Sequence, residues 1–246
     1  MPNANSDVVV LAKIRTPHNC LDVVRSGNMT NLLSARGSYG YYHPRQLFTG
    51  YGWDCLALSP FLSLRAPTRL LLLGLGGGTT ARQCRALFPG AHIDVVELDE
   101  EVIDAATRFF RLRRSNPRIV HGDAVDYVRS SRNTYDAVLD DLWGSAAECR
   151  RLPLTTGYLA GTLRRLAPHG VFAANVPATD HWTAASVDLL KKAGFPEAAF
   201  LYPPLGPTAV VVGGRKFRPW ASITRHCIHS GYAADVVTAV RFVQRP

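Results

Sequence analysis

The sequence predicts an α/β fold in which helices cover both faces of a mostly parallel, seven-stranded sheet, preceded by a small β-rich element. From Arg69 onward, short apolar runs alternate with segments that have the spacing of amphipathic helices, a pattern typical of parallel sheets. The first run, residues 70–73, passes directly into a glycine-rich turn that opens a helix. With 246 residues, 47% of them hydrophobic and 19% charged, the chain can bury a sizeable core.

Residues 1–60 are predicted to form an N-terminal β-hairpin element with a lead-in helix. The Ser26-Gly27-Asn28 sequence between two apolar runs is a hairpin turn signal. A stretch rich in Gly and Tyr at 37–52 is interpreted as a loop, and helical spacing follows at 53–64. The predicted strands span residues 8–11, 20–25 and 30–34.

Residues 61–246 are predicted to form the sheet domain, with a C-terminal extension from about residue 214. The last two predicted strands flank a proline-rich turn at 203–207 and are expected to pair as an antiparallel hairpin. The predicted strands span residues 70–73, 92–96, 118–121, 137–139, 171–175, 199–202 and 209–212. The predicted helices span residues 79–88, 100–110, 156–166 and 182–193.

The composition argues against several classes of protein. The five cysteines are far apart and form no Cys-x-x-Cys pair, so we expect a reducing cytoplasm and no disulfide framework. The sequence His226-Cys227-Ile228-His229 lacks a second pair of ligands, so no metal site is predicted. No apolar run is long enough to cross a bilayer, and no membrane association is expected. The net charge is +9, but no basic stripe with interleaved aromatic residues occurs, which disfavours a nucleic-acid partner.

The glycine-rich turn, Gly74-Leu75-Gly76-Gly77-Gly78-Thr79, is the strongest functional signal. Glycines between a buried strand and a helix let the backbone approach a ligand and expose N–H groups at the helix N-terminus. The alternative is a tight strand-to-helix turn without a ligand. The dinucleotide fingerprint G-x-G-x-x-G is incomplete, because its last position is Thr79.

Glu97 stands at the end of the second predicted strand, roughly 20 residues after the glycine turn. A carboxylate at this position can accept hydrogen bonds from both hydroxyls of a ribose. The alternative is a solvated acidic loop with Asp99, Glu100 and Glu101, which also suits the start of a helix.

The sequence Gly122-Asp123-Ala124 follows the third predicted strand. Asp123 can accept a hydrogen bond from an adenine amino group while a neighbouring backbone N–H meets the ring. The alternative is that Asp123 only caps the next helix. Together with the glycine turn and Glu97, this position predicts one adenosine bound across three consecutive strand ends.

The reacting site is expected beyond the fourth predicted strand, at Asp140-Asp141-Leu142-Trp143. Asp141 is predicted to leave the strand end and to orient or deprotonate an acceptor amine or hydroxyl, whereas Asp140 is expected to pack beside the sheet or to be solvated. Trp143 and Tyr158 are candidates for the acceptor pocket, and ordinary packing remains the alternative for both.

These motifs resemble the spermidine synthase-like branch of the class I S-adenosylmethionine-dependent methyltransferase superfamily. The resemblance implies a Rossmann-like fold, S-adenosylmethionine or its decarboxylated form as the donor, a catalytic carboxylate at Asp141 and a homodimer. The matching segments are residues 72–79, 96–99, 122–124, 135–141 and 154–175. The predicted donor-binding residues are Gly74, Gly76, Gly77, Glu97, Leu98, Asp123, Ala124 and Asp141.

The chain also departs from that pattern. Aminopropyltransferases carry a second acid where this chain has Trp143-Gly144, an aspartate where it has Gly77 or Gly78, and an acidic, tyrosine-rich stretch near Trp53. Each lost carboxylate removes a charged hydrogen bond of about 1.5–3 kcal/mol from a polyamine. We therefore expect Trp53 to line a pocket for a different small molecule.

Three functions remain open from the sequence. The first is methylation of a small-molecule acceptor. The second is aminopropyl or aminocarboxypropyl transfer from the same sulfonium. The third is nucleotide binding without turnover, or recruitment of the fold for a cyclisation.

Overall fold

The computed structural model describes residues 8–35, 37–112, 117–144, 151–152, 154–229 and 234–245. One of the five cysteines, Cys149, lies outside these ranges. The strands are β1 (Val8–Arg15), β2 (Cys20–Ser26), β3 (Met29–Leu33), β4 (Ser38–Tyr42), β5 (Arg69–Leu73), β6 (His92–Glu97), β7 (Arg118–His121), β8 (Tyr135–Asp140), β9 (Leu166–Pro177), β10 (Glu197–Tyr202), β11 (Thr208–Gly214) and β12 (Arg241–Arg245). The helices are α1 (Gly52–Leu58), α2 (Thr79–Leu87), α3 (Glu100–Phe109), α4 (Ala124–Ser130), α5 (Thr156–Arg165), α6 (Asp180–Lys192), α7 (Trp220–His229) and α8 (Ala234–Ala239), with a 3-10 turn at Ser59–Leu62.

The central sheet has the strand order β12-β10-β11-β9-β8-β5-β6-β7. The strands β5 to β9 run parallel to their neighbours within this group, so their carboxyl ends meet at one edge of the sheet. The chain leaves β5 toward β6 on one side and reaches β8 on the other, which creates the crevice where open α/β sheets bind ligands. The α/β fold with its mostly parallel sheet is therefore confirmed.

The sheet has eight strands and not the seven predicted. The additional strand, β12, pairs antiparallel with β10, which would otherwise be an open edge. Its sequence, Arg241-Phe242-Val243-Gln244-Arg245, has little strand character by itself. Stacking of Phe242 on Trp220, at 5.4 Å between ring centroids, fixes the strand from another part of the tail. The predicted hairpin of β10 and β11 is confirmed.

The N-terminal residues form an antiparallel sheet in the order β1-β2-β3-β4. The prediction of a loop at 37–52 was wrong for β4, which pairs with β3. Gly40, one of the glycines that suggested a loop, is required by packing: a Cβ at this position would lie 2.3 Å from Gly77 Cα. A glycine inside a strand often marks the close approach of another backbone, as it does here.

Other elements also differ from the sequence predictions. The helix predicted at 53–64 ends at Leu58, and Pro60 continues it as a 3-10 turn. The strand predicted from residue 171 begins at Leu166 and includes Pro168. Helix α4 was not among the predicted helices, and the side chain of Asp123 caps it.

The core has two layers, because successive residues of a strand point to opposite faces of the sheet. Leu70 and Leu72 of β5 pack in one layer, and Leu71 and Leu73 pack in the other. A smaller third cluster joins β1, β2 and β3 to Val102, Ala105 and Phe110 at helix α3. The N-terminal sheet is therefore packed directly on the half of the sheet domain that carries the glycine turn.

A buried polar network connects β6, β7 and β8. The carboxylate of Asp94 is fully buried and accepts hydrogen bonds from Arg118 Nε at 2.7 Å and from the Tyr135 hydroxyl at 2.8 Å. The Tyr127 and Tyr135 hydroxyls lie 2.7 Å apart. Burial by itself would raise the pKa of Asp94, but the bonds from Arg118 and Tyr135 outweigh it and lower the pKa.

We predict that Tyr135→Phe lowers the free energy of unfolding by about 1–3 kcal/mol, because it leaves a buried carboxylate oxygen without its donor. Since the pKa of Asp94 is lower in the folded than in the unfolded chain, the network stabilises the fold above the unfolded-state pKa. This stabilisation is lost as the pH falls through the folded-state pKa. The substitution raises the folded-state pKa, so acid unfolding should begin at a higher pH. Urea titrations across the acidic range measure both effects.

The matched control is Tyr127→Phe, which removes a neighbouring hydroxyl but keeps both bonds to Asp94. It should leave the pH dependence of stability close to that of the unsubstituted chain. Identical acid profiles for the two variants would argue against the role of Tyr135.

Candidate functional site

The glycine turn joins β5 to α2 with an unusually contorted backbone. Gly74, Gly76 and Gly78 have φ values of 90°, 50° and 71°, a region that side-chain-bearing residues rarely adopt. The N–H of Gly74 donates to the Val96 carbonyl at 2.9 Å, and that of Gly78 donates to the Leu75 carbonyl at 2.8 Å. These bonds hold the turn in one conformation against the end of β6.

Strand β4 lies directly on the glycine turn. Gly77 N–H donates to the Tyr39 carbonyl at 2.9 Å, and a Cβ on Gly76 would lie 2.0 Å from the same oxygen. Thr79 Oγ1 accepts from Tyr41 N–H at 2.8 Å and donates to the Tyr41 carbonyl at 3.0 Å. The expectation that the turn exposes free N–H groups is therefore wrong for Gly77, whose amide is already bonded within the protein.

Glu97 faces the glycine turn and not bulk solvent. Its Oε2 accepts from Leu75 N–H at 2.8 Å and its Oε1 from Asp99 N–H at 3.1 Å, and Gly76 N–H is a further donor. Burial raises the pKa of Glu97, and these backbone bonds only partly oppose the rise. A carboxylate fixed beside the turn in this way is suited to hydroxyl groups of a ligand in the crevice.

Asp123 lies at the end of β7 as the cap of α4. Its Oδ1 accepts from Asp126 N–H at 2.9 Å, so the helix-capping alternative is realised. The structure gives its other oxygen no hydrogen bond among the described residues. Ala124 is buried directly behind it, and the N–H of Gly122 donates to the Glu97 carbonyl at 2.9 Å. Leu98, which is exposed, lies between these two turns in sequence and accepts from His121 Nε2 through its carbonyl.

Asp141 follows β8 and receives three side-chain hydrogen bonds. Trp53 Nε1 donates to its Oδ2 at 3.1 Å, while Trp143 Nε1 and Asn175 Nδ2 donate to its Oδ1 at 3.0 and 2.9 Å. A carboxylate offers about four acceptor positions, so one position on Oδ2 remains among the described residues. Burial raises the pKa of Asp141, partly opposed by the bonds from Asn175 and Trp143. This combination describes a carboxylate with a raised pKa and room for one further hydrogen-bond donor.

Asp140 has a different environment from its neighbour. It is fully buried and pairs with Arg151 Nη2 at 2.7 Å, and it accepts from the Tyr158 hydroxyl at 2.9 Å. The packing expected for Asp140 is therefore observed. The structure corrects the expected position of Tyr158: its hydroxyl contacts Asp140 and not the space beside Asp141.

Sequence reasoning missed Asn175 and Arg151 as parts of this site. Asn175 is the one polar residue in the buried run of β9 and is 6% exposed, which is a signal that sequence alone offers. Arg151 is 2% exposed, and an isolated β-bridge between Arg151 and Trp143 brings its side chain close to Asp140. This contact depends on tertiary packing, and no feature of the neighbouring sequence predicts it.

Membrane and metal sites are not found in the described ranges. No helix there has the length and apolar character that a bilayer span requires. No group of three or more His, Cys, Asp and Glu side chains there is arranged to hold a metal ion.

Backbone hydrogen bonds link the glycine turn, the ends of β6 and β7, and the Asp141 loop after β8. Asp141 N–H donates to the Leu73 carbonyl, Gly74 N–H to the Val96 carbonyl and Gly122 N–H to the Glu97 carbonyl, each at 2.9 Å. The family model described as the spermine/spermidine synthase domain matches residues 54–198, which include all of these segments. The chain belongs to the spermine/spermidine synthase family.

Two curated relatives represent different activities within this similarity. The polyamine aminopropyltransferase of Vibrio vulnificus is 31% identical over 152 residues, covering 58% of this chain and 50% of that protein. The human eEF1A lysine and N-terminal methyltransferase is 31% identical over 153 residues, covering 57% of this chain and 22% of that protein. The chain thus spans about half the length of the aminopropyltransferases it matches.

Solved structures share the fold over a longer range. A probable spermidine synthase from Corynebacterium glutamicum has a TM-score of 0.70 at 16% identity, covering 99% of this chain and 91% of its own. Spermidine synthase from Thermotoga maritima has a TM-score of 0.69 at 16% identity, with 94% and 83% covered. Human methyltransferase-like protein 13, crystallised with SAH, has a TM-score of 0.54 at 23% identity, with 75% and 88% covered. The N-terminal sheet and the Rossmann-like domain thus both have counterparts in this fold.

We predict that Glu97→Ala weakens the binding of an adenosyl donor by about 1.5–3 kcal/mol, because it removes a charged acceptor for the ribose hydroxyls. This corresponds to an increase in Kd of about 10- to 150-fold. Isothermal titration calorimetry with S-adenosylmethionine and with its decarboxylated form measures the change. Glu101→Ala, an exposed acid on the neighbouring helix, is the control and should bind both as the unsubstituted chain does. An unchanged Kd for Glu97→Ala would contradict the ribose assignment.

Proposed function

We propose that the chain transfers an alkyl group from the sulfonium of an adenosyl donor to a small amine held at Asp141. The observation that carries this proposal is the Asp141 carboxylate, which is held by three N–H donors and retains one acceptor position beside the crevice. A non-catalytic nucleotide-binding protein has no need of such a group. Family membership supports the same chemistry.

The donor is proposed to lie across the glycine turn and the ends of β6 and β7. Glu97 would accept from the ribose hydroxyls, and the free oxygen of Asp123 would accept from the adenine amino group. The glycine turn, with Gly74 and Gly76 in conformations that only glycine readily adopts, would allow the close approach of the nucleoside. These residues are brought together by backbone hydrogen bonds between the turns, so the crevice is organised before a ligand enters.

The chemical step needs positioning more than covalent assistance. The lone pair of the acceptor nitrogen attacks the carbon next to the sulfonium, a C–N bond forms, and the C–S bond breaks with its electron pair passing to sulfur. The acceptor nitrogen then carries an excess proton, which Asp141 can accept. Because burial raises the pKa of Asp141, it is a stronger base than an ordinary aspartate.

Aminopropyl transfer from decarboxylated S-adenosylmethionine is the first candidate. It is supported by the family model and by the aminopropyltransferase relatives. It is also supported by two arginines of the described residues, one beside Asp140 and one beside the glycine turn, which are already engaged and so offer no free cation to a donor with a carboxylate. Arg151 pairs with Asp140, and Arg82 donates to the carbonyls of Gly77, Phe110 and Tyr41.

Methyl transfer is the second candidate. The human methyltransferase relative favours it, and so does the glycine turn, which has Gly77 or Gly78 where aminopropyltransferases are expected to carry an aspartate for the donor. The two candidates differ in the donor and share the base.

We predict that decarboxylated S-adenosylmethionine binds more tightly than S-adenosylmethionine, by about tenfold or more, because the carboxylate of the latter would lose its hydration without gaining a cationic partner among the described residues. Calorimetry with both donors measures this ratio, and mass spectrometry of incubations with simple amines identifies the group transferred. Tighter binding of S-adenosylmethionine together with a methylated product would overturn aminopropyl transfer in favour of methylation.

We predict that Asp141→Asn lowers turnover by about 10²- to 10⁴-fold, the range for loss of a general base, and that donor affinity falls by much less. A separate test is Trp143→Phe, which removes one of the bonds that lower the pKa of Asp141. The acid limb of its pH–rate profile should move to higher pH, because the raised pKa leaves less carboxylate at a given pH. Ionisation of the amine acceptor is common to both proteins and cancels in the comparison. Full turnover of Asp141→Asn would exclude its role as base.

A further inference from the structure

Two of the three carboxylates considered for the acceptor side, the surface beside Asp141, are already fully hydrogen-bonded within the protein. Asp54, next to Trp53 in sequence, is fully buried. It accepts from Thr49 N–H, from Gly50 N–H at 2.6 Å and from Gln83 Nε2 at 2.6 Å. Asp140 is occupied by Arg151 and Tyr158. Of these three carboxylates, Asp141 is therefore the one that retains an acceptor position in the described part of the chain.

The walls beside Asp141 are aromatic. The indoles of Trp53 and Trp143 both point their N–H groups at the carboxylate, so their carbon edges form the adjoining surface. Tyr51 meets Trp53 edge-on, with 6.3 Å between ring centroids and an angle of 62°. Tyr39 lies beside the loop that carries Trp143, where its hydroxyl donates to the Gly144 carbonyl at 3.2 Å.

The outer rim of this surface is also apolar. The turn between β10 and β11 lies against Tyr51: Leu205 N–H donates to the Gly50 carbonyl at 2.9 Å, and a Cβ on Gly206 would lie 2.8 Å from the Tyr51 ring. Tyr51 and Leu205 are 45% and 51% exposed. Large exposed apolar side chains that adjoin a polar site are a common feature of small-molecule pockets.

From this arrangement we propose that the acceptor is a primary monoamine with an apolar body, and not a diamine or polyamine. This inference rests on the proposed transfer to an amine at Asp141. One carboxylate position can receive one N–H of the reacting nitrogen. A second ammonium on the acceptor would lie against indole and phenol carbons, where it would lose water without meeting a carboxylate among the described residues. A methyl or phenyl group at the same place would be buried favourably.

The test uses two acceptors that differ in a single group. Butylamine and putrescine have the same four-carbon body, and only putrescine carries the second amine. With the donor that the protein binds, we expect kcat/KM for butylamine to exceed that for putrescine by about tenfold or more, and phenethylamine to be at least as good as butylamine. The rate is measured as release of the adenosyl thioether, and the product is identified by mass spectrometry.

A gain of specificity provides a second measurement. Gly144→Asp places a carboxylate where the aminopropyltransferases are expected to carry their second acid, and Gly144→Asn is its uncharged control of equal size. The aspartate variant should raise the putrescine-to-butylamine ratio of kcat/KM by about tenfold, while the asparagine variant should leave it unchanged. Both variants keep the Gly144 carbonyl that Tyr39 uses.

The outcomes separate the two proposals. Preference for putrescine in the unsubstituted protein would overturn the monoamine inference and leave transfer at Asp141 intact. Donor binding without transfer to any of the three amines, under conditions in which the donor remains intact, would count against both the inference and the proposed function. Equal ratios in the two Gly144 variants would show that charge at this position does not select the acceptor, which also contradicts the inference.

Discussion

The site depends on how one carboxylate, that of Asp141, is kept partly out of water without a cationic partner. A buried carboxylate needs hydrogen bonds to offset the loss of hydration, and Trp53, Trp143 and Asn175 supply them from α1, the β8 loop and β9. These bonds also fix α1 across the carboxyl end of the sheet. The walls of the acceptor side are thus set by the same contacts that hold the base.

The N-terminal sheet contributes to the donor side in a comparable way. Gly40 and Gly77 allow the backbones of β4 and the glycine turn to touch, and the Tyr39 carbonyl accepts a hydrogen bond from the Gly77 N–H. At the other end of this sheet, Thr16 Oγ1 and Asn19 Nδ2 donate to the Asp99 carboxylate, which itself caps α3. The glycine turn and the start of α3 are therefore clamped from outside. Loop conformations restrained by contacts on both sides lose less entropy when a ligand binds.

Much of the fold was predictable because buried parallel strands are continuous apolar runs and because the glycine turn marks where the first one ends. The same positions identified Glu97, Asp123 and Asp141. Three features that were not predicted, β4, β12 and the Arg151 contact, depend on partners elsewhere in the chain, namely Gly77, β10 and Asp140 respectively. Tyr158 was misplaced because its helix brings it to Asp140, and sequence spacing does not say which of two adjacent acids an aromatic hydroxyl will reach.

The contrast between Asp140 and Asp141 explains how two adjacent acids take different roles. Residues next to each other at a strand end point to opposite faces. Asp140 forms an ion pair with a guanidinium, whereas Asp141 accepts from neutral N–H groups, and burial raises its pKa. Neutral donors stabilise the charge without neutralising it, and the nearby Arg151 also acts to lower the pKa of Asp141. On the proposed function, the sulfonium of the donor adds a further positive charge and favours the ionised form of Asp141. The base is then most available when the electrophile is already in place, which favours binding of the donor before the acceptor.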